Sequence, residues 1–305
     1  MDLEARLHAL QTELDSAPSS MRQKSLDPAT WIPRSPARHN ISGHRMPVTG
    51  LAFHPTFTVV ASSSEDSTIK IWDWETGEFE QTIKGHTKSV HDVDFSFDGK
   101  LLSNQLTLCS WCWLLVSCSS DLTLKLWDST NAYAILKTLH GHDHTISAVR
   151  FVPPRGDLAV SCSRDRSIKV WDVFSGYCVR TISNAHADWI RTVSSSDDGA
   201  WYLSAGNDQV LYSSNIWMIL RLQVARIWDA QSKNADCKYE LRGHEHVIEC
   251  AVFAPVSAYP FLAEMAQMPK LVFNLYIALI CVRKVMWSQG DSWRLVHEIK
   301  LFVYG

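Results

Sequence analysis

Four sets of residues in this 305-residue chain carry the same side chains in the same order. They are His44, Ser62, Asp66 and Trp72; His86, Ser117, Asp121 and Trp127; His142, Ser161, Asp165 and Trp171; and His186, Ser204, Asp208 and Trp228. Histidine, serine and aspartate together are the parts of a hydrolytic triad, in which a base activates one hydroxyl. A triad is built once around one nucleophile, so a set that returns in successive repeats points to a scaffold. Buried polar groups need partners, and a closed chain of hydrogen bonds from Asp to His, His to Ser and Ser to the indole N–H would fix one geometry per repeat. The sequence has no Gly-x-Ser-x-Gly elbow and no P-loop. Cys109 and Cys112 form a lone CxxC without a second pair or a nearby histidine to complete a zinc site. The expectation is therefore a protein that is not an enzyme, with no catalytic residues, metal or cofactor.

The elements that must hold these residues follow from the repeat. Gly-His recurs at 43–44, 85–86, 141–142 and 243–244, with Ala185-His186 as a variant, and Trp-Asp recurs at 72–73, 127–128, 171–172 and 228–229. The segments SSSEDSTIKIWD, SCSSDLTLKLWD and SCSRDRSIKVWD are near copies. Their period-two alternation marks half-buried strands, and the Ser- and Asp-rich pieces between mark tight turns. Repeats of about 40–45 residues with Gly-His and Trp-Asp signatures describe WD40 blades, four-stranded antiparallel sheets that neighbouring blades must cover. The predicted fold is an all-β WD40 propeller over 40–256. Its repeats span about 43–82, 85–136, 141–181 and 185–236, with a partial fifth at 243–256.

Two segments interrupt the pattern. From repeat His to repeat Trp there are 28 residues in the first repeat and 29 in the third, but 41 and 42 in the second and fourth. Setting aside 101–113 and 210–223 restores the spacing, and places Asp208 six residues before Trp228. Both segments are apolar where loop insertions are polar, a composition that reads as translated intron. They are expected to bulge from the blades or disrupt them. Beyond about 257 no signature recurs, and residues 257–305 read as a non-repeat apolar tail. Its apolar run at 271–282 is shorter than the roughly 20 residues a membrane helix needs, so no integral membrane association is expected.

Composition narrows the class further. The formal net charge is −3 with no long basic run, which argues against nucleic acid as a partner. Eight cysteines are scattered. Cys118, Cys162 and Cys250 fall inside apolar strand-like runs and are expected to be buried free thiols, consistent with a reducing cytoplasm. Residues 1–16 read as a coiled-coil remnant, with Leu3, Leu7, Leu10 and Leu14 as its seam and a route to self-association. Residues 17–39 read as a linker.

The stretch DPATWIPRSPARHNISGHRMPVTGLAFHP at 27–55 resembles the junction before the first blade in the lissencephaly/nuclear-distribution family. Further resemblance lies in ETGEFEQTIKGHTKSV (75–90), LHGHDHTISAV (139–149), SRDRSIKVWDVFSGYCVRTI (163–182) and ELRGHEHVIECAVFAP (240–255). The family pattern is a coiled coil followed by a seven-bladed propeller, of which this chain matches about four blades and part of a fifth. The resemblance implies a regulator of the minus-end-directed microtubule motor cytoplasmic dynein. Its partners would be the motor and its adaptor proteins, its processes nuclear migration, spindle positioning and microtubule transport. It would reside in the cytoplasm, on the cytoskeleton, at microtubules and at the centrosome or spindle pole. The alternatives are a non-catalytic subunit of a platelet-activating-factor acetylhydrolase and a generic WD40 scaffold.

Two positions vary while the framework repeats. One lies five residues after the repeat His (Thr49, His91, Ser147, Arg191, Glu249), the other just before the repeat Asp (Glu65, Ser120, Arg164, Asn207). Arg164 and Arg191, with Trp189 beside them, are the candidate partner-binding residues, since Arg and Trp dominate interface hot spots. The resemblance implies that arginines at these two motif positions contact the dynein motor domain.

Overall fold

A computed structural model describes residues 39–96, 113–215, 218–232, 237–244, 247–253, 277–289 and 292–303. Side chains are described for 39–96, 113–208, 224–232, 237–241 and 247–253. The expected coiled coil, the linker up to residue 38 and the Cys109/Cys112 pair lie outside the described residues.

Every described element is a strand. The first sheet contains β1 (Val48–Phe53), β2 (Val59–Ser64), β3 (Thr68–Asp73) and β4 (Phe79–Lys84). The second contains β5 (Val90–Phe95), β6 (Leu114–Ser119), β7 (Thr123–Asp128) and β8 (Ala134–His140). The third contains β9 (Ile146–Phe151), β10 (Leu158–Ser163), β11 (Ile168–Asp172) and β12 (Cys178–Ile182). The fourth contains β13 (Ile190–Ser195), β14 (Trp201–Asn215), β15 (Met218–Asp229) and β16 (Cys237–His244). Each is an antiparallel meander in sequence order, the blade of a WD40 propeller.

The core lies between blades. Ala52, Ala61, Ile69, Ile71 and Ile83 of the first blade pack on Val90, Val93, Phe95, Leu115 and Trp127 of the second. Blade two meets Ile146, Val149, Phe151 and Trp171 of blade three in the same way, and blade three meets Ile190, Val193, Tyr202 and Trp228 of blade four. Alternation along each inner strand sends successive side chains to opposite faces, so each blade can serve two neighbours.

Two regions add detail to the sequence reading. The segment 210–223 continues β14 and β15 into a long hairpin whose register runs from Gln209↔Gln223 to Asn215↔Met218. An apolar run that can pair with itself extends a hairpin as readily as it disrupts one. The region read as a non-repeat apolar tail holds β18 (Ile277–Gln289) and β19 (Ser292–Val303), which pair in order with β17 (Cys250–Phe253) to form a fifth sheet. Strand formation needs alternation and a pairing edge, which the lost repeat signature does not report.

The expectation for Cys250 is corrected. Cys118 and Cys162 are buried, but Cys250 is exposed. The corresponding inner-strand residues of blades two to four, Asp92, Ala148 and Thr192, are buried. Cys250 sits on the face of β17 turned away from the fourth blade, while Ile248 and Ala251 take the covered side.

Candidate functional site

The repeated set is joined in all four blades. In blade one, His44 Nδ1 lies 2.9 Å from Asp66 Oδ2 and His44 Nε2 lies 2.8 Å from Ser62 Oγ, while the Trp72 indole N–H donates to the same Oγ at 2.8 Å. Blade two repeats this through Asp121, His86, Ser117 and Trp127 at 2.8, 2.7 and 2.9 Å. In blade three, Asp165, His142, Ser161 and Trp171 stand at 2.7, 2.8 and 2.8 Å. Blade four joins Asp208, His186, Ser204 and Trp228 at 2.8, 2.7 and 2.8 Å. A carboxylate only accepts, so Nδ1 carries the proton, and Nε2 accepts from the serine hydroxyl, which in turn accepts the indole N–H. The serine oxygen is buried and already holds an indole donor, so no substrate atom can reach it.

The preceding glycine makes room for the indole. A Cβ at Gly43 would stand 2.8 Å from Trp72 Cη2, and one at Gly85 2.7 Å from Trp127 Cη2. The aspartate also ties down the following turn: Thr68 donates its N–H and hydroxyl to Asp66 Oδ1, as Thr123 does to Asp121 and Ser167 to Asp165. Burial alone would raise the Asp66 carboxyl, but the hydrogen bonds from Thr68, His44 and the Arg45 N–H outweigh it and hold it well below the usual carboxylate range. Asp121 and Asp165 are held down in the same way.

Blade four satisfies its aspartate differently. Here β14 runs through Asp208 into the hairpin, and donors from outside the hairpin turn reach its carboxylate. The Asp188 N–H donates to Oδ1 at 3.0 Å, and Arg226 on β15 donates to Oδ2 at 3.1 Å. Arg226 also donates to Ala185 O and Glu240 Oε1. Burial is the first cause that pulls the His186 imidazole below its ordinary pKa.

The variable positions come together at one end of the blades for a backbone reason. The N–H just before the repeat Asp donates to the carbonyl three residues after the repeat His: Glu65 to Pro47, Ser120 to Ser89, Arg164 to Thr145 and Asn207 to Trp189, at 2.9–3.1 Å. Side chains at the two positions are thus rim neighbours across β1–β2 and its equivalents. His91 Nε2 lies 2.7 Å from Ser120 Oγ, and Arg191 Nε donates to Asn207 Oδ1 at 3.0 Å.

Arg164 and Arg191 converge on Trp189. The Arg191 guanidinium carbon is 3.6 Å from an indole ring centroid and that of Arg164 is 5.1 Å away. The Trp189 indole N–H donates to Ser147 Oγ of the neighbouring blade at 2.5 Å, which fixes the ring both arginines rest on. Arg164 is exposed, and Trp189 and Arg191 are half-buried. Burial lowers the Arg191 pKa; Glu249 opposes that and the adjacent Arg164 charge adds to it. Two cations held beside one aromatic plane can accept an acidic partner with little loss of side-chain freedom. Among the described residues no group of three or more His, Cys, Asp or Glu could hold a metal ion. No helix among them is long and apolar enough to cross a membrane.

Sequence reasoning missed a second charged cluster. Asp92 and Asp94 on β5 reach across to blade three, where Asp92 pairs with Arg150 and accepts the Val149 N–H at 3.2 Å, and Asp94 accepts the Phe151 N–H at 2.8 Å. Burial raises the Asp94 carboxyl to about 6 against the pull of Arg150. The available signal was Asp-x-Asp set between the apolar residues Val90, Val93 and Phe95 of one strand. Ser147 and Asn207, read only as variable positions, turn out to hold Trp189 and Arg191.

Comparison with known proteins agrees with the blades. The family model described as "WD domain, G-beta repeat" matches residues 36–73, 77–128, 134–172 and 176–212. The chain is 47% identical over 278 residues to Nuclear distribution protein PAC1 of Arthroderma otae, covering 88% of this chain and 55% of that protein. It is 49% identical to the PAC1 protein of Coccidioides posadasii, covering 88% and 53%. It is 45% identical to Nuclear distribution protein nudF of Aspergillus niger, covering 87% and 54%. The chain spans about half the length of these relatives.

Proposed function

We propose a function from one premise: this chain belongs to the WD domain, G-beta repeat family. The function is regulation of the minus-end-directed microtubule motor cytoplasmic dynein, in nuclear migration, spindle positioning and microtubule-based transport. The chain acts by binding, not by catalysis, with the motor and its adaptors as partners, in the cytoplasm and on the cytoskeleton. Its similarity to proteins named for nuclear distribution supports the reading, as does the family resemblance of the segment 163–182, which contains Arg164.

The observation that carries it is the convergence of Arg164 and Arg191, from adjacent blades, on the single indole of Trp189. No part of the repeated network needs these three side chains, which leaves them available to a partner. Co-purification of the full chain from cell extract tests the reading. Dynein heavy chain should be retained, and lost with Arg164→Ala combined with Arg191→Ala. Recovery of a small serine hydrolase without the motor would contradict it.

A further inference from the structure

In the four blades, two of the residues that stand five after the repeat histidine keep polar atoms for a partner. Thr49 is tied to the neighbouring blade, donating from Oγ1 to Val90 O at 2.6 Å. Ser147 accepts the Trp189 indole N–H. Arg191 and His91 remain, and they are held alike. Arg191 donates from Nε to Asn207 Oδ1 at 3.0 Å, and His91 Nε2 lies 2.7 Å from Ser120 Oγ. In both blades the backbone bond at the rim sets the two residues side by side. The framework histidines use both ring nitrogens, as His44 does with Asp66 and Ser62. His91 uses one, and among the described residues its Nδ1 has no hydrogen-bond partner. The ring is half-buried. The charged groups that act on it are Glu65 of blade one, Asp92 beside it on β5 and Arg191 of blade four. Asp92 is engaged with Arg150, so the rim charges around His91 are Glu65 and Arg191.

We propose that His91 is a third anion-contact residue of the rim, which takes up a proton as an acidic partner docks on Arg164 and Arg191 and donates to that partner from Nδ1. This rests on the reading of the two arginines as a recognition site. A hydroxyl both donates and accepts, so Ser120 can accept from a protonated Nε2 and no bond within the rim is lost. In the free chain burial holds the imidazole below its ordinary value; Glu65 and Asp92 oppose this, and Arg191 adds to it. His91 is therefore neutral at pH 7. A carboxylate seated on Arg191 offsets that cation and brings its own negative charge towards the ring, and both changes favour the imidazolium. Protonation and binding then strengthen each other reciprocally. Because the partner raises the His91 pKa, affinity is greatest at low pH and falls as pH rises through the pKa of the complex. The partner class is an acidic segment with at least two anionic groups, one for the arginines and one for His91.

Two measurements on the full chain test this. The first needs no motor. The His91 imidazole is titrated by NMR, its signal identified by its loss in His91→Gln. Arg191→Met should raise the His91 pKa by about half a pH unit or more, and so should hexaglutamate added to the parent. Failure of either to move it would overturn the proposal. The second measurement compares the parent with His91→Gln in binding the dynein motor domain at pH 6 and pH 8. The parent should bind about three- to tenfold more tightly than the variant at pH 6, with little difference at pH 8. Taking the ratio of the two chains removes titrations elsewhere, such as that of Asp94. The same ratio at both pH values, with the motor bound, would overturn the role of His91 and leave the arginine reading standing. A motor that binds the parent at neither pH, while hexaglutamate still raises the His91 pKa, would sink the motor as the partner and support the rim as an anion site.

Discussion

The buried His-Ser-Asp-Trp network and the rim around Trp189 use overlapping chemistry to opposite ends. Both hold a tryptophan by its indole N–H to a serine oxygen, Trp171 to Ser161 in the network and Trp189 to Ser147 at the rim. In the network that bond closes a chain of paired polar atoms whose serine and tryptophan are buried and whose aspartate lies only partly open. At the rim it fixes an aromatic plane under two guanidinium groups, one of them exposed. Residue type does not separate scaffold from recognition; repetition and exposure do. A group present in each blade answers a need of the blade, and a group present once is available for something else.

The sharpest way to break this contrast is to remove the two rim cations together. Arg164→Ala with Arg191→Ala should cost roughly 2–5 kcal/mol of binding per arginine that pairs with a buried carboxylate of the partner. A pull-down of the motor domain should then fail, while the melting temperature stays near that of the parent. Removing one network carboxylate should do the reverse. Asp165→Ala strips the acceptor from His142 Nδ1 and from the Asp143 and Ser167 N–H groups, and should destabilise the fold by roughly 1–3 kcal/mol in thermal unfolding. An unchanged melting temperature would count against the network as a stabilising device.

Two smaller effects sharpen the comparison. Trp189→Ala removes the plane under the arginines but leaves the charges, so motor affinity should fall roughly two- to fivefold, with partial recovery in Trp189→Phe. The smallest concerns Asp94. Its carboxyl is raised in the folded protein, so the fold holds that proton more tightly than the unfolded chain does. The associated stability is complete at pH below the ordinary carboxylate value of about 4 and is lost as pH rises through about 6. Asp94→Asn still offers an oxygen to the Phe151 N–H but cannot ionise. The difference in stability between parent and variant should therefore shift in favour of the variant between pH 4 and 7. Its size should be on the order of 1 kcal/mol or less, given partial solvent screening.

Much of this was legible in the residues. The spacing of Gly-His, Ser, Asp and Trp-Asp gives strands that the structure places as four meanders, and the variable positions fall at one rim because a backbone hydrogen bond joins them. What stayed hidden depends on long-range pairing or on neighbours. The hairpin at 210–223 and the strands β18 and β19 carry no repeat signature. The exposure of Cys250 depends on which blade covers β17, and the contact of Arg226 with Asp208 joins β15 to the end of the repeat network, which no local spacing reports. Asp92 and Asp94 were visible as letters, but their reach to Val149, Arg150 and Phe151 is a property of the blade junction.

The most direct test is a crossed titration against the purified dynein motor domain, with circular dichroism melts run on the same samples. The parent chain, the Arg164→Ala/Arg191→Ala variant and the Asp165→Ala variant are compared side by side below the melting range of each. The rim variant should fold like the parent and not bind, while the network variant should bind like the parent and melt earlier. A folded rim variant with the parent's affinity would contradict the assignment of partner recognition to Arg164 and Arg191.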